Sequence, residues 1–552
     1  MFSDFRSLEM EQQVEFLTRE LVKMKSYNNT IGESDKADYL IKVIKSFPYF
    51  QQNQEYAWTT SIANDVAGRK NVFAFVKGKT GSKKTIVYHA HLDTVGTDDF
   101  GALQSISHDS DALQQFFSTY AADKDVQADA LSNDWLFGRG ALDMQSGIAV
   151  HLVNLLYFSE HLEELDGNLL VMFNPDEESQ HSGLRSALHE LKRLQEELSL
   201  DYVAAINDDF ISPFFEDDHN RYIYTGVAGK LLPCFYIFGR EAHVGESLTA
   251  IDPTLIASAL NVKITQNLDL TEQLEGEVIL PPSCLHLRDD KKNYDVQTIL
   301  SCKLYFNYFV YEKSPKQILD ELIAITKETC KDIEDRQRKT YQQFSRTTGL
   351  PSRDFDWKLE VIRLEDFIDY LEKLGLAPQK VIQSILSDSK REDIDDRMLA
   401  FQIVEALQNL DPTKKPRVIL FYAPPFLPAN FLKENSQKGA VILRKVKETL
   451  ENEIYKGKET FVLKKYFPYL SDGSFLSFNG SEEDMHTLKN NFPAMNQLFP
   501  MPLETMKELN IPCLNFGVYG KDGHKRTERV YKPYSFQVLP KLIRNVTKRL
   551  LS

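Results

Sequence analysis

Two kinds of hydrophobic pattern alternate along the first two hundred residues, and this alternation limits the folds open to the chain. Segments such as "MQSGIAVHLVNLLYFSEHL" and "GLRSALHELKRLQEELS" repeat apolar residues at helical spacing. Between such segments lie short apolar runs, including "NVFAFVKG", "KKTIVYHAH", "GNLLVMFNPDEE" and "YVAAINDD". Apolar strands that alternate with helices predict an α/β fold, with a mostly parallel sheet covered by helices on both faces.

The pattern changes after about residue 220. "RYIYTGVAGKLLPCFYIFGR" predicts a long strand or hairpin, and "SCKLYFNYFVY" and "WKLEVIRL" predict further strands. "DPTLIASALNVKITQN" predicts a helix with Asp252 as its N-cap and Pro253 at its first position. "SPKQILDELIAITKETCKDIE" predicts a second capped helix. These elements indicate an inserted α+β domain. Residues 364–430 are mostly helical in pattern, and the α/β pattern returns from residue 431.

The composition excludes several classes of function. The chain has 552 residues, enough for two or three domains, and a formal net charge of −15. It has no Lys/Arg-rich run, which argues against nucleic acid and anionic membranes as partners. No apolar run is long enough to span a bilayer, and "MFSDFRSLEMEQQVEF" lacks the apolar core of a signal peptide. Five scattered cysteines argue against a disulfide framework or a cysteine-type zinc site, so we expect a cytoplasmic protein.

One apolar strand ends in an unusual group of polar residues. In "VYHAHLDTVG", residues 87–96, the strand runs directly into His91 and Asp93. Residues i and i+2 share a strand face, so His91 has the position of a metal ligand whose second ring N–H Asp93 accepts. The alternative is a core strand whose polar end only hydrogen-bonds to a turn.

Four other polar clusters follow apolar runs or open helices. They are "GRGALDMQSG" with Asp143, "MFNPDEES" with Glu177 and Glu178, "AAINDDF" with Asp208 and Asp209, and "GKDGHKRTE" with His524. Taken singly, each has an ordinary structural explanation, such as a helix cap or a solvated loop.

Taken together, these clusters predict a site with nitrogen and oxygen ligands, because the carboxyl ends of strands meet at one edge of a doubly wound sheet. Such ligands suit zinc and also manganese or cobalt, and they are numerous enough for two ions about 3.5–4 Å apart. Neighbouring residues in an extended chain point opposite ways. One of Glu177 and Glu178 could therefore bind metal while the other acts as a general base.

The motifs "HLDTVG", "GRGALDMQSG", "NPDEES" and "GHKRTE" occur here in a characteristic order. The chain resembles the aminoacylase, desuccinylase and carboxypeptidase family of co-catalytic zinc peptidases and amidohydrolases, over nearly its whole length except about 364–430. Within that family it resembles the large arginine-utilisation branch, on "HLDTVGTDDFG", "YTGVAGKLLPCFYIFGREAHVGE" and "NFGVYGKDGHKRTERVYKPYSF".

The resemblance implies a domain plan and a fold. We expect a phosphorylase/hydrolase-like zinc-peptidase catalytic domain over residues 1–217 and 431–552. This catalytic domain is interrupted by an α+β lid domain over 218–363 and by a mostly helical insertion over 364–430.

The resemblance also implies a role for each motif residue. His91 resembles the ligand of one metal, Asp93 its orienting carboxylate and Asp143 the bridging carboxylate. Glu178 and His524 resemble ligands of the other metal, and Glu177 resembles the general base. The remaining ligand is either Asp208 or Asp209: counting from the strand favours Asp208, and the aromatic residue after Asp209 keeps it a rival.

Two features of the predicted lid bear on catalysis. His243 in "GREAHVGE" resembles the lid histidine that polarises the scissile carbonyl. Many relatives use a lid arginine to hold the substrate's carboxylate, but here Asn307 stands in the matching strand. Replacing arginine by asparagine removes the charge and the bidentate fork, which puts recognition of a terminal carboxylate in doubt.

These observations lead to one expected activity and two alternatives. We expect a hydrolase with two divalent ions, preferably Zn²⁺ with Mn²⁺ or Co²⁺ as substitutes. It would cleave an amide or peptide bond in a small amino-acid derivative, in the catabolism of arginine or a related amino acid. The alternatives are a dipeptidase or aminopeptidase, and a catalytically silent binding protein. The partner is a small amino-acid or peptide substrate, and the protein is either a monomer or a homodimer.

Overall fold

The computed structural model describes residues 5–274, 276–388, 394–452 and 459–552. The chain forms two compact units. Unit 1 comprises Met1–Ala228, Ala429–Phe478 and Pro502–Ser552, and unit 2 comprises Gly229–Pro428 and Asn479–Met501. The boundaries that the sequence predicts after residues 217, 363 and 430 stay a prediction.

Unit 1 contains an eight-stranded sheet. In chain order its strands are β1 (Ala57–Ser61), β2 (Lys70–Lys77), β3 (Lys84–His91), β4 (Asn168–Asn174), β5 (Asp201–Asn207), β6 (Asn220–Tyr224), β7 (Thr460–Lys464) and β8 (Cys513–Asn515). Their order across the sheet is β1-β2-β4-β3-β5-β8-β6-β7. The four central strands β4, β3, β5 and β8 run parallel to one another, so the predicted mostly parallel sheet is confirmed.

The register of the central strands brings their carboxyl ends to one edge. His91 at the end of β3 lies opposite Asn174 at the end of β4. Asn207 at the end of β5 lies opposite His89 on one side and Asn515 on the other. The polar residues that follow these strands therefore leave the sheet side by side.

The helices of unit 1 are Met10–Lys23, Ile31–Lys45, Pro48–Gln52, Ser110–Ser118, Lys124–Ser132, Ser146–Glu160, Ser182–Leu198, Gln437–Leu450, Leu503–Leu509 and Leu539–Leu551. Ser146–Glu160 and Leu539–Leu551 pack on β3, and Ser182–Leu198 packs on β2 and β4. Ser146–Glu160 is buried along most of its length, which explains its nearly continuous apolar sequence. A smaller antiparallel sheet pairs Arg529–Tyr531 with Trp135–Phe137 and with Gly520–Lys521.

Unit 2 is an α+β domain. The strands of its main sheet are Gly229–Leu231, Pro233–Phe238, Ser283–Asp289, Ser301–Val310, Glu360–Arg363 and Arg417–Tyr422. Its helices are Pro253–Ile264, Pro315–Thr348, Leu364–Lys373, Pro378–Leu386, Asp396–Leu410, Glu482–Asn490 and Met495–Leu498. The predicted start of the first helix is confirmed, because Asp252 accepts a hydrogen bond from the Thr254 N–H and Pro253 is the first helical residue. Helices from the 364–410 region pack against strands Pro233–Phe238 and Arg417–Tyr422 in one hydrophobic core.

The stretch 221–240 is not the long strand or hairpin that its apolar residues predict. It forms four short strands, Asn220–Tyr224, Gly226–Val227, Gly229–Leu231 and Pro233–Phe238. The first belongs to the sheet of unit 1 and the last two to that of unit 2. Glycine and proline interrupt the strand pattern at these junctions, and the chain passes from one unit to the other there. In the described parts of the chain, no helix has the length and apolar character needed to cross a membrane.

Candidate metal centre

His91 is the last residue of β3 and is almost fully buried. Its Nδ1 lies 3.1 Å from the main-chain oxygen of Asp93, and its Nε2 lies 3.0 Å from Oδ1 of Asp143. If the neutral ring carries its proton on Nδ1, that N–H donates to the carbonyl of Asp93. The lone pair of Nε2 is then directed at the carboxylate of Asp143. The position of the Asp93 carbonyl thus favours the tautomer that a metal ligand needs.

The carboxylate of Asp93 differs in one detail from its predicted position. Its Oδ1 lies 3.6 Å from Nδ1 of His91, outside hydrogen-bond distance. Its two oxygens instead accept the backbone N–H groups of Glu177 and Glu178, each at 3.0 Å. Asp93 therefore holds the main chain of the Glu177–Glu178 loop, while its own carbonyl orients His91.

Asp143 lies between two imidazoles. Oδ1 is 3.0 Å from Nε2 of His91, and Oδ2 is 2.9 Å from Nε2 of His524. Burial alone would raise the pKa of Asp143, but hydrogen bonds from His524 and His91 hold that pKa well below its usual range. With one oxygen directed to each histidine, Asp143 has the geometry of a carboxylate shared by two ions.

The loop that contains Asp143 is fixed by Glu528 from another segment and by Arg139 within the loop itself. Oε1 of Glu528 accepts the backbone N–H groups of Leu142 and Asp143, at 3.0 and 3.2 Å. Its other oxygen pairs with Nη1 of Arg139 at 2.7 Å, and both side chains are only 1% exposed. Arg139 and Glu528 lie inside the motifs "GRGALDMQSG" and "GKDGHKRTE", but nothing in the sequence alone indicated their role.

Glu177 and Glu178 follow β4 and approach different neighbours. Oε1 of Glu178 lies 2.8 Å from Nε2 of His524, whose side chain is 46% exposed. Burial raises the pKa of Glu177 well above its usual value; His91 opposes this shift, and the carboxylates of Glu178, Asp472 and Asp209 add to it. Hydrogen bonds to Asp143 and Glu178 raise the pKa of His524 to about 11.

Asp208 and Asp209 occupy different environments although they are adjacent. Asp209 offers an oxygen within 4.8 Å of ligand atoms of His91 and Asp143. Asp208 instead packs against the helix Ser146–Glu160, where a Cβ on Gly147 would lie 2.6 Å from its Oδ1. Its Oδ1 is 3.3 Å from Nε2 of His151. Burial raises the pKa of Asp209 to about 8, with the nearby carboxylate of Asp143 the next cause.

The sequence-predicted residues form three overlapping groups, and in each group the ligand atoms lie within 4.8 Å of one another. Two of these groups share Asp143: one is His91, Asp143 and Asp209, and the other is Asp143, Glu178 and His524. The third contains His91, Glu177 and Glu178. The carboxylates outnumber the imidazoles and are largely buried, an arrangement that is costly unless a cation compensates it. This set of nitrogen and oxygen donors suits divalent ions such as zinc.

His243 and Asn307 belong to unit 2. His243 is exposed, and its Nδ1 accepts a hydrogen bond from the Gly245 N–H at 3.1 Å. Asn307 lies in the strand Ser301–Val310, opposite Ser283.

Comparison with known proteins places this site in a family. The profile described as peptidase family M20/M25/M40 matches residues 87–217, the segment that contains His91, Asp143, Glu177, Glu178 and Asp209. Protein RocB from Bacillus subtilis (strain 168) is 50% identical over 540 residues, covering 98% of this chain and 95% of that protein. The chain belongs to peptidase family M20/M25/M40. It is a metal-dependent hydrolase of this family.

Another relative and a solved structure also match nearly the whole chain. The uncharacterized protein YqjN of Bacillus subtilis (strain 168) is 31% identical over 544 residues, covering 97% of this chain and 96% of that protein. A solved structure of a putative aminohydrolase from methicillin-resistant Staphylococcus aureus is 12% identical, with a TM-score of 0.52. The structural match covers 100% of this chain and 99% of the aminohydrolase chain. At this identity the structural likeness is evidence for the fold alone.

The different environments of Asp208 and Asp209 lead to a prediction. Asp209→Ala should lower the divalent metal content of the purified protein, because it removes an oxygen beside His91 and Asp143. Asp208→Ala is the matched control and should leave the metal content unchanged. Elemental analysis of both variants decides the matter, and metal loss in Asp208→Ala alone would reverse the assignment.

Proposed function

We propose that the protein uses two divalent metal ions, preferably zinc, to hydrolyse an amide or peptide bond in a small amino-acid derivative. Manganese or cobalt would substitute for zinc. One ion is assigned to His91, Asp143 and Asp209, and the other to Asp143, Glu178 and His524. The observation that carries the proposal is the position of Asp143, whose oxygens lie 3.0 and 2.9 Å from two different histidines.

The chain's own groups account for the proton transfers of such a reaction. Glu177 lies beside both Glu178 and His91, where its carboxylate can accept a proton from water. It then passes that proton to the leaving nitrogen. Divalent ions, when bound, supply Lewis acidity that favours ionisation of water and stabilises negative charge on the carbonyl oxygen.

The substrate class and the location are also part of the proposal. The motifs shared with the arginine-utilisation branch support a role in the catabolism of arginine or a related amino acid. The five cysteines are all free in the structure, which agrees with the cytoplasmic location that we propose.

A substrate screen tests the proposed activity. Protein loaded with zinc, manganese or cobalt is incubated with a panel of N-acylated amino acids and dipeptides, and metal-free protein serves as the control. We expect metal-dependent release of the free amino acid from an acylated substrate. Turnover of dipeptides alone would identify the alternative peptidase, and fully metal-loaded protein with no turnover would favour the silent binding protein.

His243 is proposed to donate a hydrogen bond to the oxyanion that forms during the reaction. His243→Ala should lower kcat by about 10²–10³, the usual loss for an oxyanion donor, while the metal content stays normal. His219→Ala replaces another exposed histidine and should leave both quantities unchanged. Loss of metal in His243→Ala, or an unchanged kcat, would contradict the assignment.

The same residue offers a test of the oligomeric state. If His243 acts within its own chain, mixing His243→Ala with Glu177→Gln protein should not restore activity. If it acts on a partner chain in a dimer, the mixture should regain activity, because one site of each hybrid contains both intact residues. We favour the monomer, and a stable dimer by sedimentation together with rescue would overturn that choice.

A further inference from the structure

A second histidine–carboxylate pair lies next to the general base and outside the two metal groups. Nδ1 of His181 is 2.7 Å from Oδ1 of Asp472, and both residues are buried, at 5% and 0% exposure. Asp472 belongs to the sequence "PYLSDGSF", which the proposed reaction has not used so far. Its Oδ2 has no hydrogen-bond partner among the described residues.

This pair is held close to Glu177. Glu177, His181 and Asp472 each offer a ligand atom within 4.8 Å of the other two. Asp472 engages Nδ1 of His181, which leaves Nε2 as the ring nitrogen available to the carboxylate of Glu177; in the described part of the chain the side chains of His181 and Glu177 lie near each other without forming an ion pair. We propose that His181, oriented by Asp472, is a positioning residue that holds the carboxylate of Glu177 through Nε2. This inference rests on the proposed role of Glu177 as general base.

The elements around the pair fix its position. His181 directly precedes the helix Ser182–Leu198, and its main-chain N–H donates to the carbonyl of Asp176 at 2.7 Å. Asp472 follows Ser471, whose hydroxyl accepts a hydrogen bond at 2.8 Å from Asn207 at the end of β5. The pair thus connects the Glu177 loop to a second strand end. In many metal sites a carboxylate orients a histidine that binds the metal. Asp472 would orient His181 in the same way, but this histidine would face the general base Glu177 and not a metal ion.

Two substitutions of similar size separate this role from a purely structural one. His181→Gln can place an amide nitrogen near the position of Nε2, and His181→Asn can place one near Nδ1. If His181 positions Glu177, the glutamine variant should keep most of the wild-type kcat. The asparagine variant should lose about 10–100-fold, in line with the cost of a small misplacement of a catalytic group. KM and metal content should stay close to wild type in both. The opposite order, with asparagine tolerated and glutamine not, would show that only the bond to Asp472 matters.

A measurement without substrate keeps the inference separate from the proposed activity. In metal-loaded protein with ¹⁵N-labelled histidine, the signals of His181 are assigned by their absence from His181→Asn. Glu177→Gln should shift the Nε2 signal, and Asp472→Asn should shift the Nδ1 signal.

An Nε2 signal insensitive to Glu177→Gln would overturn the inference even if the enzyme is active. A third equivalent of zinc that binds wild type and is lost in Asp472→Asn would also overturn it, since the trio would then be a metal site. If the whole substrate panel fails while the Nε2 signal shifts, the proposed activity fails and the contact stands.

Discussion

Glu177→Gln is expected to lower kcat by about 10²–10⁴, the usual cost of losing a general base, with metal content unchanged. Glutamine has nearly the shape of glutamate but cannot accept the proton. The side chain of Glu177 belongs to neither of the two groups that share Asp143, so both ion sites should persist. The measurement is kcat on the best substrate of the panel, together with elemental analysis.

The matched control for this prediction is Glu434→Gln, which replaces an exposed glutamate of the same unit. It should retain wild-type kcat and metal content. If Glu177→Gln kept more than half of the wild-type kcat, Glu177 would not be the base. If it lost metal, its side chain would be a ligand instead.

Asp143→Ala is expected to remove both ions and with them the activity. Its oxygens face His91 and His524, so one substitution takes a ligand from each group. Metal affinity should fall by more than the roughly 10–100-fold that is typical for loss of an outer-shell partner. His524→Ala should instead affect one ion, because His524 belongs to only one of the two groups that share Asp143.

Two further variants show whether a loss of metal in Asp143→Ala comes from the missing carboxylate or from a folding defect. Asp143→Asn keeps the shape of the side chain and removes its charge, and it should also bind less metal. Asp35→Ala removes an exposed aspartate from the helix Ile31–Lys45 and should change neither metal content nor circular dichroism. Loss of only one ion in folded Asp143→Ala would mean that this carboxylate does not bridge.

Much of the site could be predicted from the sequence because its residues directly follow buried strands. β3 and β4 are apolar runs ended by polar residues, and parallel pairing necessarily brings those ends together. Asp143 and His524 were singled out on other grounds, because Asp143 lies in a glycine-flanked loop that opens a helix and His524 lies in a glycine-rich loop. The family resemblance then supplied the individual roles, which no periodicity could have given.

Other features depend on contacts that the sequence does not encode locally. Asp208 and Asp209 have the same side chain and differ only in tertiary contacts, because Asp208 packs against Gly147 and His151 while Asp209 lies beside His91 and Asp143. The bonds of Glu528 to the Asp143 loop join positions about 385 residues apart. The strand Ser283–Asp289 was not predicted, because all of its side chains are at least partly exposed and it has no buried apolar face.

The central claim is that this hydrolase works with two divalent ions held around Asp143. The most direct test is a titration of metal-free protein with zinc, in which bound metal and hydrolysis of the best panel substrate are followed in the same samples. We expect that two equivalents bind, that activity returns as they bind, and that Asp143→Ala binds neither. Full activity in the metal-free protein, or saturation of wild type at one equivalent with full activity, would contradict it.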